Sequence, residues 1–228
     1  MRELVIVFDS VRYDLFMEAD APNLKSLGKV HRAYSHGSWT RPSMSSILSG
    51  YLPSCPEVEN PWEPQWIMLK FVGGGRRVFY NSNAWMHKTH PLEGVERYYP
   101  VPYSAQSIVE DALEEVEDLS LAVLFFMETH TPYSVREEDT TELLRRIWKY
   151  NVGGEDPHLA SEMWNRQKKA VEYLDNLIKP LLDLEDTRIV FTSDHGELFG
   201  EHHRLGHDPS LPFHIKLFEV PLIVSETS

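Results

Sequence analysis

The chain has 228 residues, 42% of them hydrophobic and 25% charged, a composition typical of a globular protein with one sizeable core. Its net charge of −13 argues against nucleic-acid binding, because phosphate backbones are bound by clustered Lys and Arg. Cys55 is the only cysteine, which excludes an intramolecular disulfide, and no apolar run approaches the roughly 20 residues of a membrane-spanning helix. We therefore expect a cytoplasmic protein with no transmembrane segment.

Apolar runs typical of strands alternate with helical patterns along the chain. Strands are predicted at residues 4–8, 77–80, 119–127, 188–192 and 220–224. Several of these runs are continuously apolar, as expected for strands that are covered on both faces. The alternation predicts an α/β fold, with a mostly parallel, mixed central sheet sandwiched between helices.

Helices are predicted at residues 43–48, 105–118 and 158–184. The first of these should end at Gly50, and the last should kink or end at Pro180. Ser107 and Glu110 have the spacing of a capping box for the second helix. Residues 53–64 are predicted to form a surface loop, and residues 129–157 an insertion over the edge of the sheet.

Polar side chains follow three of the predicted strands. Asp9 follows the first, Glu128 and His130 follow the strand at residues 119–127, and the adjacent pair Asp194 and His195 follows the strand at residues 188–192. The carboxyl ends of parallel strands meet at one edge of a sheet, where ligands bind. These side chains therefore form a candidate cation site.

A fourth segment supplies a hydroxyl group. Thr40 lies two residues before Pro42, which suits the first turn of the helix predicted to follow. A hydroxyl at a helix N-terminus lies where free N–H groups favour negative charge, including that of an alkoxide or a bound oxyanion. Thr40 can also simply cap the helix, and this segment alone favours that interpretation.

Nine short motifs follow one another between residues 4 and 224. In chain order they are Val7-Phe8-Asp9-Ser10-Val11-Arg12-Tyr13-Asp14, Ala21-Pro22-Asn23-Leu24, Thr40-Arg41-Pro42-Ser43, Leu48-Ser49-Gly50-Tyr51-Leu52-Pro53, His130-Thr131-Pro132-Tyr133, Tyr173-Leu174-Asp175, Thr192-Ser193-Asp194-His195-Gly196-Glu197, Gly200-Glu201-His202 and Val220-Pro221-Leu222-Ile223-Val224. Together they resemble, in the right order, the sulfatase-like branch of the alkaline phosphatase superfamily. The resemblance implies that family's fold and a metal-dependent hydrolase.

The resemblance also implies roles for individual residues. Asp9, Thr40, Asp194 and His195 would bind one divalent cation, and this ligand set favours Mn²⁺ or Zn²⁺, with Ca²⁺ or Mg²⁺ as alternatives. Thr40 would attack the phosphorus or sulfur of an ester in line and form a covalent Thr intermediate.

Two histidines complete the implied site. His130 and His207 would contact the transferred group or protonate the leaving oxygen. With Glu128, these two histidines are also candidates for a second metal or for substrate contact, whereas His202 and His203 are better explained as solvated loop residues.

The chain departs from the family pattern at the nucleophile. Many sulfatases have Cys or Ser there, converted to formylglycine, followed by Pro and then Arg, whereas this chain has Thr40 and, at the Arg position, Met44. Thr cannot give the aldehyde, and Cys55 lies outside the motif, so phosphate or phosphonate esters are favoured over formylglycine-type sulfatase activity. Ser10 also stands where many relatives have a second Asp.

Residues 1–228 are expected to form a single sulfatase-like catalytic domain without the C-terminal subdomain common in the family. Either a partner subunit, as in a homo-oligomer, covers the site or an open cleft accepts a large substrate. The predicted substrate is a small-molecule or lipid-headgroup ester. The alternatives are a transferase that passes the group to an alcohol or lipid headgroup, and a degenerate domain that keeps the fold without catalysis.

Overall fold

The computed structural model describes residues 2–50, 52, 75–83, 96–98 (backbone only), 104–135, 138–208 and 213–225. The strands are β1 (Arg2–Phe8), β2 (His31–Tyr34), β3 (Arg76–Asn81), β4 (Glu96–Tyr98), β5 (Leu119–Phe126), β6 (Thr187–Ser193), β7 (Leu198–Phe199), β8 (Leu205–Gly206) and β9 (Glu219–Val224). The α-helices are α1 (Tyr13–Glu18), α2 (Pro22–Ser26), α3 (Thr40–Ser49), α4 (Ala105–Glu115), α5 (Thr141–Asn151), α6 (Leu159–Leu177) and α7 (Lys179–Leu182). Short 3₁₀ helices cover Val116–Asp118, Glu201–His203 and Ile215–Leu217. The predicted loop at residues 53–64, which includes Cys55, lies outside the described residues.

The central sheet has the strand order β2-β9-β6-β1-β5-β3-β4. Strands β6, β1, β5, β3 and β4 run parallel to one another, and β9 pairs antiparallel with both β6 and β2. This arrangement confirms the predicted α/β fold with a mostly parallel, mixed sheet. All five predicted strands are present, and β2 and β4 are short additional strands.

Successive side chains of a strand point to opposite faces, and both faces of β1 are covered. Ile6 and Phe8 pack in the layer that contains α1, α4 and α6, whereas Val7 packs with Met44 and Leu48 of α3 on the other face. Burial on both faces explains why the strand is continuously apolar. It also places α3, and with it Thr40, against one face of the sheet.

Two helix boundaries were predicted in detail, one at Pro180 and one at Ser107. The predicted helix at residues 158–184 divides into α6 and α7, and Pro180 lies in the first turn of α7, which confirms its effect. The prediction of a capping box at Ser107 is wrong. Ser104 is the N-cap of α4, and its side chain accepts a hydrogen bond from the Ser107 N–H at 3.2 Å. A serine three residues upstream offers the same cap geometry, which spacing alone could not exclude.

The predicted insertion at residues 129–157 contains the amphipathic helix α5. Leu143 and Ile147 face a small apolar cluster that includes Leu205 of β8. Asn151, the last residue of α5, donates to the Leu205 carbonyl at 2.9 Å and accepts from its N–H at 2.8 Å. The insertion therefore holds the hairpin of β7 and β8 in place, directly before His207. None of the helices in the described ranges is long and apolar enough to cross a membrane.

Candidate active site

Four predicted site residues converge at the carboxyl ends of β1 and β6. Asp9 follows β1, Asp194 and His195 follow β6, and Thr40 is the first residue of α3; all four are buried. The Thr40 hydroxyl lies 3.4 Å from Asp9 Oδ2 and 3.3 Å from His195 Nε2. His195 Nε2 is in turn 3.8 Å from Asp9 Oδ1 and 3.5 Å from Asp194 Oδ2. The four side chains therefore share one small volume, as the strand ends predicted for Asp9, Asp194 and His195 and as the family resemblance implied for Thr40.

Two sharp turns create this convergence. Ser10 has a φ of 56°, and its N–H donates to Asp194 Oδ1 at 3.0 Å, which joins the end of β1 to the end of β6. A β-carbon on Gly196 would lie 1.9 Å from the carbonyl oxygen of Lys216, so no other residue fits without displacing that segment. The Gly196 N–H donates to the Leu217 carbonyl at 2.8 Å, which fixes the turn. Local backbone geometry thus aims both acidic groups at one point.

The donor set fits a cation. The Nδ1 of His195 lies 2.7 Å from the Gly196 carbonyl, which can only accept, so Nδ1 carries the hydrogen and the Nε2 lone pair faces the carboxylates. Among the described residues, Asp9 Oδ1 and Asp194 Oδ2 are buried without a hydrogen-bond partner. Buried polar atoms are rarely left unpaired, and three converging lone pairs repel one another unless a positive charge lies between them.

The electrostatics of the site support the same interpretation. Burial, together with the charges of Asp194 and Glu197, raises the pKa of Asp9 well above its usual range. Burial also raises the pKa of Asp194, to about 7, and lowers that of His195 well below its ordinary value. A bound cation would relieve the repulsion between the two carboxylates, and the neutral imidazole is the protonation state that binds metals.

His207 lies beside this group and is held by a buried glutamate. Its Nδ1 is 3.1 Å from Glu197 Oε1, and its ring centroid is 4.2 Å from that of His195. Burial alone would lower the pKa of His207, but the Glu197 carboxylate beside it raises that pKa above its ordinary value. The interaction also lowers the pKa of Glu197 in spite of its complete burial. His207 can therefore carry a proton at the site.

Glu197 was absent from the predicted site residues. The sequence did carry a signal, because Glu197 lies two residues after His195 in the same motif.

Donor atoms of Asp9, His195 and His207 also lie within 4.8 Å of one another, so His207 is close enough to take part in metal binding.

His130 and Glu128 have different surroundings. The ring of His130 lies 5.0 Å from that of His207, and its Nδ1 donates to the Thr131 carbonyl at 2.7 Å. Burial lowers the pKa of His130, and the nearby His207 lowers it further. Glu128 Oε1 instead accepts from the Ala105 N–H at 2.7 Å, at the N-terminus of α4. In the described part of the chain, Glu128 does not join the group of converging metal donors, so the structure does not assemble the predicted second-metal set.

His202 and His203 make contacts outside the site. The ring of His202 lies 5.2 Å from that of His214, and His203 stacks on Tyr150 at 4.2 Å. His203 Nε2 also lies 3.2 Å from the Gly154 carbonyl. The contacts of His203 hold the short helix at Glu201–His203 against the insertion. His202 is exposed, as predicted for a solvated residue, whereas His203 is only partly exposed.

Two buried side chains that were not predicted hold the site loops together. Arg12 Nη1 donates to Glu201 at 2.6 Å and to the Glu197 carbonyl at 3.3 Å, and its guanidinium lies over the ring of Trp164 at 5.1 Å. Gln167 of α6 donates to the Ser10 carbonyl at 3.1 Å and to the Thr129 carbonyl at 2.9 Å. Both are positioning residues, because each joins loops that follow different strands.

A cavity of about 290 Å³ opens beside the nucleophile candidate. It is lined by Trp39, Thr40, Arg41, Asn83, Met127, His130 and His207. The lining therefore combines the hydroxyl and both histidines with aromatic, apolar and cationic side chains. A small ester can enter this cavity and reach Thr40.

Comparisons with known proteins place the chain among relatives of the same fold. The chain is 30% identical over 229 residues to the low-salt glycan biosynthesis sulfotransferase Agl7 of Haloferax volcanii, an alignment that covers 96% of this chain and 52% of that protein. The chain thus spans about half the length of this relative.

Two solved structures illustrate the shared fold. The phosphonate monoester hydrolase of Agrobacterium radiobacter matches with a TM-score of 0.73 at 15% identity, covering 98% of this chain and 67% of the other. The C-terminal periplasmic domain of phosphoethanolamine transferase EptC from Campylobacter jejuni matches with a TM-score of 0.67 at 19% identity, covering 98% and 78%. The sulfatase family model matches residues 62–227, which is most of the chain. The chain therefore belongs to the sulfatase family.

Proposed function

We propose that the chain is a metal-dependent enzyme that cleaves phosphate, phosphonate or sulfate esters with Thr40 as its nucleophile. The observation that carries this proposal is the position of the Thr40 hydroxyl. It lies 3.4 Å from Asp9 and 3.3 Å from His195. Around it are buried carboxylate oxygens without a hydrogen-bond partner, and it lines the cavity. A hydroxyl that only capped a helix would not need two carboxylates and an imidazole around it.

Asp9, Thr40, Asp194 and His195 would hold one divalent ion. Two carboxylates with an imidazole and a hydroxyl favour Mn²⁺ or Zn²⁺ over Ca²⁺ or Mg²⁺. A protein of the same fold, the periplasmic domain of Escherichia coli EptC, is known as a complex with Zn. When bound, such an ion lowers the pKa of the Thr40 hydroxyl and offsets the negative charge of the transferred group.

Thr40, His207 and His130 each have a separate role in the proposed reaction. The Thr40 hydroxyl releases its proton to solvent, its oxygen bonds to the phosphorus or sulfur, and the bond to the leaving oxygen breaks. His207, whose pKa is raised by Glu197, gives its proton to the leaving oxygen. In the second step water or an alcohol attacks the phosphorus or sulfur of the Thr40 ester, and neutral His207 takes the proton of that nucleophile. The bond from the Thr40 oxygen to phosphorus or sulfur breaks, and that oxygen takes up a proton from solvent, which restores the hydroxyl. His130, held by its contact with Thr131, lines the path of the leaving group.

The nucleophile favours phosphorus esters over the chemistry of formylglycine sulfatases. Thr40 cannot be oxidised to the aldehyde that those enzymes use. Met44, at the position of their arginine, is fully buried in the layer between α3 and the sheet, where it supplies no charge. We infer a preference for phosphate or phosphonate esters.

The test uses metal-depleted protein reloaded with Mn²⁺, Zn²⁺, Ca²⁺ or Mg²⁺. Turnover is measured on 4-nitrophenyl phosphate, bis(4-nitrophenyl) phosphate, an aryl phenylphosphonate and 4-nitrophenyl sulfate. Thr40→Ala should lower kcat by about 10³-fold or more, since it removes the attacking oxygen. Thr141→Ala, a change of the same size on the exposed start of α5, should leave kcat unaltered. Absence of turnover with every metal, or full activity of Thr40→Ala, would refute the proposal.

A transferase is the second candidate, because the relative that aligns over 96% of this chain is named a sulfotransferase. In that case an alcohol replaces water in the second step. Adding an acceptor such as glycerol or a sugar should accelerate the release of nitrophenol and give the transferred ester as product. Release that is independent of the acceptor, with free phosphate as the product, identifies a hydrolase.

A further inference from the structure

Arg41 lines the cavity beside Thr40 and is partly buried. In the part of the chain that the structure describes, its guanidinium makes no hydrogen bond and no ion pair. Other partly buried arginines have partners: Arg12 pairs with Asp14 and Glu201, and Arg146 pairs with two carboxylates of its own. Among the described residues, Arg41 is therefore a charge without a counterion, inside the cavity where the ester must bind.

The position of Arg41 is also unfavourable for the helix that carries it. It is the second residue of α3, and the N-terminus of a helix has a partial positive charge that disfavours a cation. The chain has 35 acidic residues, yet none of those described forms an ion pair with Arg41. An anion that enters the cavity would provide the missing counterion and would also be attracted to the end of the helix.

The geometry distinguishes this anion from the group that is transferred. Adjacent residues on a helix point in different directions, so Arg41 does not share the direction of Thr40, which faces Asp9 and His195. The cavity, at about 290 Å³, exceeds what one tetrahedral anion fills and leaves room for a substituted ring, and its lining includes Trp39 and Met127. The charge on Arg41 therefore lies beside the alcohol portion of an ester whose reacting atom is at Thr40.

We propose that Arg41 binds a second anionic group, carried on the alcohol portion of the ester, and so selects substrates with two separate negative charges. A guanidinium pairs with a carboxylate or a phosphate through two parallel hydrogen bonds, so either group meets the requirement. This inference rests on the proposed function, because it takes Thr40 as the point of attack. The substrate class is an acidic alcohol, such as a carboxylated or phosphorylated sugar or ring, esterified with the transferred group.

The kinetic test compares 4-nitrophenyl phosphate with 3-carboxy-4-nitrophenyl phosphate, which differ by one carboxylate on the leaving group. The ratio of their kcat/KM values should favour the carboxylated ester in the unaltered protein. Arg41→Gln should lower this ratio by about tenfold or more, and Arg41→Lys should lower it less. Arg188→Gln is the matched control: it removes one positive charge from a half-exposed side chain that pairs with Glu3 on the sheet. The control should leave the ratio unchanged.

A binding measurement separates this inference from the proposed function. Titration calorimetry on Thr40→Ala, with and without Arg41→Gln, would use phenyl phosphate and 3-carboxyphenyl phosphate. Arg41 should make the carboxylated ligand bind about tenfold more tightly than the plain one, and Arg41→Gln should remove the difference. If Arg41→Gln weakens both ligands by the same factor, or neither ligand binds, the inference is wrong. If no ester is turned over, the proposed function fails, and the calorimetry still decides the role of Arg41.

Discussion

Replacing Asp9 with Asn should have opposite effects on the metal-free and the metal-bound protein. In the metal-free protein Asp9 is a fully buried carboxylate near two others, Asp194 and Glu197, and its pKa is raised for that reason. Asn keeps the shape and removes the charge. We expect Asp9→Asn to raise the free energy of unfolding of the metal-free protein by about 1–2 kcal/mol at pH 7.

The pH dependence of this gain has a definite sign. A pKa that is higher in the folded than in the unfolded protein means that the folded state holds more protons, so stability falls as pH rises above about 4. The gain from Asp9→Asn should therefore be largest near neutral pH and should vanish near pH 4.

The metal-bound protein should respond in the opposite way. A divalent ion at 100 times its dissociation constant adds about 2.7 kcal/mol to the stability of the folded state. For a domain of this size that corresponds to an increase in Tm of about 5–10 °C. Asp9→Asn removes a charged ligand, and this increase should disappear at the same metal concentration.

Differential scanning calorimetry on chelator-treated and metal-saturated protein measures both effects. Asp14→Asn provides the matched control, because Asp14 pairs with Arg12 and Lys216 rather than facing the site. It should lower the baseline Tm and keep the metal-induced increase. The reasoning would be refuted if Asp9→Asn kept the full increase, or if it destabilised the metal-free protein as much as Asp14→Asn does.

Three further changes test how the fold supports the site. Although Asp14 is partly buried, hydrogen bonds from Arg12 and Lys216 lower its pKa to about 2. Its carboxylate therefore stabilises the fold above about pH 4 and loses this effect between about pH 4 and 2. In urea titrations, Asp14→Asn should lower the free energy of unfolding by about 1 kcal/mol at pH 7, allowing for solvent screening. It should also flatten the fall in stability between about pH 4 and 2. Gly196→Ala places a β-carbon 1.9 Å from the Lys216 carbonyl oxygen and should lower the free energy of unfolding by about 2–4 kcal/mol. An unchanged midpoint in urea unfolding would contradict this and show that the turn can relax. Asp175→Ala removes a buried carboxylate that accepts three hydrogen bonds of 2.8–3.2 Å from the start of α2. Thermal unfolding should show a loss of about 2–4 kcal/mol in the free energy of unfolding. A loss below about 0.5 kcal/mol would contradict this.

Sheet topology was sufficient to predict the meeting of Asp9, Asp194 and His195, whereas Thr40 was assigned to the same site by the family resemblance. Each acidic or imidazole group directly follows a strongly apolar strand, and parallel strands must end at the same edge of a sheet. Gly196 marked the turn after β6, and the structure shows why it must be glycine. Local pattern and sheet topology were enough for these three groups because each is fixed by the strand that precedes it.

The residues that hold the loops together could not be predicted in this way. Arg12 reaches the Glu197 carbonyl across 185 positions of sequence, and Gln167 reaches Ser10 across 157. Neither contact leaves a periodicity or a spacing in the chain, because each depends on how α6 and the strand ends pack in three dimensions. The absence of an ion pair at Arg41 among the described residues could not be recognised either, since only the structure shows which side chains lie within reach of it.

The most direct test of the metal site is anomalous diffraction from crystals grown with Mn²⁺ or Zn²⁺. The proposed function predicts one strong peak among Asp9, Thr40, Asp194 and His195, about 2.0–2.3 Å from their ligand atoms. A metal site elsewhere, for instance at His202 and His203, with no peak between Asp9 and His195, would contradict it.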